Sequence, residues 1–206
     1  MSQLDETTHT IGFLTVPGPT AAGQQLFDED VADVGYAMNV SRLWAYQPDT
    51  VTGLFDLLRR ANSAHDLSVR QRLILVAACT SEFGDSYCSL VWGSKLAAAS
   101  SAHTAAAVLR GQDEPLSPSE RAMALWARNV ARDPNATTPA DVHVLRDAGF
   151  SDAQVLAITV FVALRLAFST VNDALGLPPD AALRRTVPPD VLDAVTRGRP
   201  IDAETP

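Results

Sequence analysis

The sequence predicts an all-α protein on three observations. Apolar residues recur at helical spacing along most of the chain, helix-capping signatures punctuate it, and no run alternates apolar and polar residues between hairpin turns. The 206 residues, 47% of them hydrophobic, fit one domain with a single core. Residues 1–22 carry Pro17 and Pro19 among Gly and Thr with little periodicity, and read as an extended N-terminal arm placed to lie over a partner subunit. Residues 23–198 read as the helical domain and 199–206 as a polar tail.

Within the domain, Leu26, Phe27, Val31, Val34 and Met38 fall largely on one face of a helix over 24–38. Pro48 opens a second helix to about Ala61, with Val51, Leu54, Leu57 and Leu58 forming its stripe. Ser68 and Gln71 make a capping box before a helix from Val69 to about Thr80 that is apolar round much of its circumference and therefore central. After Phe83-Gly84, either Asp85 or Ser86 caps a helix that carries Cys88 and runs through Lys95 into an alanine-rich segment. Small residues from Gly93 to Ala99 permit close helix contact there. Ser117-Pro118-Ser119-Glu120 and Thr138-Pro139-Ala140-Asp141 each supply a cap, a first-turn proline and an acid, and Gly149 stops the second of these helices. Ser151 with Gln154 opens a long apolar helix that Gly176 and Pro178-Pro179 end, and a short helix spans Pro189 to Arg197.

A net charge of −8 with no basic stripe argues against a nucleic-acid surface. The polar, acidic N-terminus lacks a secretory pattern, so a cytoplasmic location is expected, with the two cysteines kept as thiols. The apolar run Val155–Phe168 is interrupted by Arg165 and is shorter than the roughly 20 residues of a membrane span, which makes it a buried helix. His9, His65, His103 and His143 show no metal-ligand spacing, and no phosphate loop or Ser-His-Asp pattern is present, so no metal and no cofactor are expected.

The chemistry-bearing stretch is Glu82 to Lys95. Cys88 enters the first turn of its helix, where the positive end of the helix dipole and free N–H groups favour a thiolate. Three readings of Cys88 stand side by side: a reactive thiol, a small packed residue, and a cavity lining without redox turnover. Trp92 and Lys95 follow at four and seven residues and share its face, Trp92 as a pocket wall and Lys95 as a cation for the thiolate or for an anionic substrate. Glu82, in the turn before, is a candidate proton acceptor, and Cys79 is a candidate partner thiol that sits in a core-like pattern. Arg165, inside an apolar helix, calls for a carboxylate or carbonyl partner.

This stretch, with Leu145-Arg-Asp-Ala-Gly-Phe-Ser-Asp-Ala-Gln154 and Asn172-Asp-Ala-Leu-Gly176, resembles the carboxymuconolactone decarboxylase-like and alkylhydroperoxidase D-like, peroxidase-related family over roughly residues 40–177. Redox members carry Cys-x-x-Cys followed after three residues by His; the corresponding register here reads Cys88, Val91 and Lys95. The resemblance implies an alkylhydroperoxidase D-like helical bundle, a homo-oligomer, and a small organic substrate such as a hydroperoxide. Because Val91 cannot resolve a sulfenic acid, it implies reduction through Cys88 alone with an external thiol as reductant, Lys95 stabilising the thiolate and Glu82 moving protons. The alternative it leaves is a non-redox small-molecule-binding or decarboxylase-like protein that has lost the redox motif.

Overall fold

A computed structural model describes residues 10–63 and 66–203; His9 and His65 lie outside the described residues, as do the two ends of the predicted arm and tail. Among the described residues the protein is all-α apart from one two-stranded hairpin. In chain order the elements are β1 (Thr10–Ile11), β2 (Leu14–Thr15), α1 (Ala21–Val34), α2 (Asn39–Trp44), α3 (Pro48–Ser63), α4 (Val69–Phe83), α5 (Ser86–Ala99) and α6 (Ala102–Leu109). There follow α7 (Pro118–Arg132), α8 (Pro139–Asp147), α9 (Asp152–Ala174), α10 (Leu183–Thr186) and α11 (Pro189–Ala194).

The capping chemistry read from the sequence forms as expected. Ser68 with Gln71, Ser117 with Glu120 and Ser151 with Gln154 each make a reciprocal capping box at the start of α4, α7 and α9. Helix α4 is the axis of the bundle: Ile74 to Thr80 are fully buried, and the helix packs against α5, α6, α7 and α9. A helix apolar on all sides has no other stable place. Gly93 of α5 lets that helix approach α6 and α11 closely, since a Cβ there would lie 2.9 Å from both Leu109 and Val191 side chains.

Three expectations change. The segment read as an extended arm folds back on its own chain where it is described: β1 and β2 pair antiparallel, Phe13 N–H donates to Leu175 O at 2.8 Å, and Ile11 packs with Leu43, Tyr87 and Leu177. The start of the polar tail is also tied down, Ser86 Oγ donating to Arg199 O and Asp202 N–H to Pro179 O. The first predicted helix ends at Gly35 in a left-handed cap, which leaves Val31 and Val34 exposed.

Helix α9 is longer than the apolar run suggested and is, among the described residues, the one helix long and apolar enough to cross a membrane. Its inward face is core, with Ile158, Phe161 and Val162 fully or nearly fully buried, while Leu156, Val160 and Val171 are exposed on the opposite side.

Candidate functional site

Helix α5 positions the site. Asp85 is its N-cap, accepting the Cys88 N–H at 2.9 Å through Oδ1. From that start, Cys88, Val91, Trp92 and Lys95 follow at helical spacing and all line one cavity of about 380 Å³ between α1, α2, α3, α5 and α9. Its walls are aromatic. Trp44 stacks on Phe168 with centroids 5.5 Å apart and planes 5° from parallel, and Phe55 meets Phe168 edge-on. Trp44 is oriented by donating its Nε1–H to Asn172 Oδ1 at 2.9 Å.

Cys88 is only 3% exposed, its small remaining surface turned to this cavity. Burial pushes its thiol well above the ordinary cysteine range, the Asp85 carboxylate adds in the same direction, and Arg165 and Ser169 act against them. The resting sulfur is therefore a thiol, not the thiolate that a bare helix N-terminus would favour. Burial of the sulfur is the first reason and the cap the second: Asp85 takes the Cys88 N–H and sets a buried carboxylate where the helix dipole alone would offer positive charge. Asp85 Oδ2 is buried without a hydrogen-bond partner, which leaves it as an acceptor beside the sulfur. Sequence reading treated Asp85 only as a cap; its second role comes from full burial, for which a turn residue after Phe83-Gly84 gives no local signal.

Arg165 of α9 faces the same cavity, 6% exposed. The carboxylate or carbonyl partner expected for it is absent among the described residues: Nε and Nη1 are buried and have no hydrogen-bond partner there. Instead the guanidinium lies 4.2 Å from the Trp92 ring centroid and 5.5 Å from those of Phe55 and Phe161. Aromatic faces hold the cation by its charge while leaving its N–H groups free. Lys95 is exposed at the rim, its Nζ 5.1 Å from the Trp92 centroid.

Glu82 is not part of this constellation. It belongs to the last turn of α4, where it accepts from Arg132 Nε at 2.9 Å and borders a separate polar cavity of about 340 Å³ with Arg110, Arg128 and Arg197. The left-handed turn at Gly84 reverses the chain between Glu82 and Cys88, so six residues of separation place them on different sides of the helix pair. Cys79 is fully buried, its thiol pushed up to about 12 chiefly by burial and its Sγ–H directed to Val76 O at 3.4 Å. Both cysteines are free.

At the end of α9, burial pushes the Asp173 carboxyl up to about 7, with Asp85 adding to the rise and Arg199 opposing it. A carboxyl whose pKa is higher folded than unfolded stabilises the fold while protonated; that contribution is complete below about pH 4 and is lost as pH rises through 7. Asp173→Asn is therefore expected to leave stability near pH 4 almost unchanged and to raise it at pH 8 by about 1–2 kcal/mol, once solvent screening of a half-exposed group is allowed for. Denaturant melts at the two pH values check this, and an equal shift at both would contradict it.

Comparison with solved structures places this geometry in a known frame. One match is an uncharacterized peroxidase-related protein from Ralstonia eutropha JMP134 described as an alkylhydroperoxidase AhpD core, with 23% identity over 85% of this chain and 95% of that one and a TM-score of 0.73. The fold is that of the AhpD core. A second match, an uncharacterized peroxidase-related protein from Silicibacter sp. TM1040, has 20% identity, coverage of 90% and 98%, and a TM-score of 0.74. A third, the debrominase Bmp8 in its apo form, has 16% identity, coverage of 85% and 92%, and a TM-score of 0.68; a cysteine-to-alanine variant of it, solved with 2,3,4-tribromopyrrole, matches equally well. No family model and no curated relative matches the chain. The AhpD-like fold expected from the sequence is thus the one observed.

Proposed function

We propose that the protein is a thiol-dependent reductase of small organic hydroperoxides, acting through Cys88 with an external thiol as reductant. The observation that carries this reading is the shared cavity: Cys88 opens onto the same aromatic space as Arg165, a buried cation with free N–H groups, while Asp85 stands beside the sulfur as a proton acceptor. The peroxidase-related neighbours of the same fold support it.

The Cys88 thiol passes its proton to Asp85, and the sulfur attacks the terminal oxygen of the hydroperoxide. The O–O bond breaks and the alkoxide leaves, protonated to the alcohol by the proton Asp85 has held, with the positive charge of Arg165 facing the same cavity. Cys88 is left as a sulfenic acid, oxidised by two electrons. One external thiol displaces water to form a mixed disulfide, and a second releases the external disulfide and restores Cys88. Neither Cys79, sealed in the core, nor Val91 can take the resolving step. Trp92 walls the substrate and Lys95 adds positive charge at the mouth; Glu82 has no part, being committed to Arg132.

Incubation with cumene hydroperoxide and a dimedone-type probe is expected to label Cys88, and Cys88→Ser is expected to remove both label and hydroperoxide consumption. An unlabelled Cys88 together with undiminished consumption by Cys88→Ser would refute the proposal.

One observation favours a second reading, non-redox binding of a small molecule: the resting thiol is held protonated. On that reading Cys88→Ala keeps ligand affinity and the wild type consumes no hydroperoxide. The bromopyrrole complex of the debrominase neighbour supports a ring-sized occupant on either reading.

A further inference from the structure

We propose that the substrate is an organic carboxylate, its apolar body in the aromatic cavity beside Cys88 and its carboxylate on Arg165; the assignment of Cys88 as the reacting group rests on the function proposed above, whereas the anion site does not. A second cavity, of about 590 Å³, adjoins the first and shares Phe55, Arg59, Trp92, Lys95 and Arg165 with it. Among the described residues its lining includes four cations, Arg59, Arg72, Lys95 and Arg165, and no carboxylate, in a protein whose net charge is −8. The acids of the first cavity, Glu29 and Asp30, belong to α1 and do not line the second. An anion entering the joined space is thus repelled from the α1 side and drawn to the wall the two cavities share.

Arg165 is the built part of that wall. Burying the guanidinium of a residue only 6% exposed costs several kcal/mol unless its charge is met, and aromatic faces return only about 0.5–2 kcal/mol each without using a single N–H. Two of its nitrogens have no acceptor. A carboxylate accepts two parallel N–H bonds along one edge of the guanidinium, pairing Nη2 with Nε or with Nη1, which a lone sulfur cannot do. Arg59 is less available, being paired with Asp56, and Lys95 at the mouth adds charge without direction.

Phenylacetate and its neutral isostere phenylacetamide, titrated into Cys88→Ser protein and followed by tryptophan fluorescence and calorimetry, test the site without redox turnover. Phenylacetate is expected to bind at least about tenfold more tightly, with affinity falling as salt is raised. Arg165→Met in the same background should abolish the preference, and Arg165→Lys should retain part of it. Equal affinity for the two probes, no binding of either at 10 mM, or a preference that survives Arg165→Met overturns the inference. Sulfenic trapping with a neutral hydroperoxide reports on Cys88 alone, so failure there leaves the carboxylate site standing, and failure here leaves the thiol chemistry standing.

Discussion

Arg165→Met is expected to make the protein more stable and its thiol slower. In the free protein the guanidinium is buried with two unpartnered nitrogens and is compensated only by three aromatic rings. Desolvating such an ion costs several kcal/mol, and replacing buried charges by apolar side chains of similar volume is often stabilising by about 1–4 kcal/mol. Methionine has nearly the volume of arginine and makes its own favourable contacts with aromatic rings. A gain of about 1–3 kcal/mol follows, read as a rise in denaturant midpoint with unchanged slope, or about 3–10 °C in Tm for a chain of this size. The same substitution removes the main influence that lowers the Cys88 pKa, leaving only Ser169 against burial and Asp85. Alkylation of Cys88 by iodoacetamide at pH 8, with Cys79→Ser as background, should slow by about three- to tenfold. A loss of several kcal/mol would contradict this account, since it would make the guanidinium a structural strut and not a charge held ready for an anion.

The two halves of that prediction show where sequence reasoning reaches and where it stops. The caps at Ser68, Ser117 and Ser151 act over three residues, and the run Cys88, Val91, Trp92, Lys95 shares a helix face by geometry alone, so both were legible. That Arg165 needs a partner was also legible from its apolar surroundings. What replaces that partner is a cage built from α3, α5 and α9, and no local pattern links Phe55, Trp92 and Phe161. The thiolate expectation rested on a helix dipole, which is local; it is reversed first by burial of the sulfur and then by the buried Asp85, neither of which is. Glu82 shows the opposite error. Its nearness in sequence suggested a shared site, whereas the turn at Gly84 sends it to Arg132, fifty residues away.

The strand hairpin and the chain after α11 were the least legible parts, and the latter holds the site in place. Gly198 has a φ of +89°, and a Cβ there would lie 2.4 Å from Gly84 O and 2.7 Å from Ser86 N, the backbone on either side of Asp85. Ser86 Oγ donates to Arg199 O at 2.7 Å and Arg199 Nη2 to Asp173 O at 3.0 Å, so this segment clamps the start of α5 to the end of α9. Gly198→Ala combines two costs: about 1–3 kcal/mol for a left-handed non-glycine residue, and displacement of backbone that has no rotamer to yield. A total loss of about 2–5 kcal/mol is expected. Gly35→Ala is the control, because Gly35 has the same φ of +89° with nothing within 4 Å, and should lose only about 1 kcal/mol. Shifting the 84–86 turn moves Asp85 relative to the sulfur, so Gly198→Ala should also change the pH dependence of Cys88 alkylation, which Gly35→Ala should leave alone. Equal losses of stability at the two glycines, with the alkylation profile unmoved in both, would show that the segment after α11 merely covers the site without setting its chemistry.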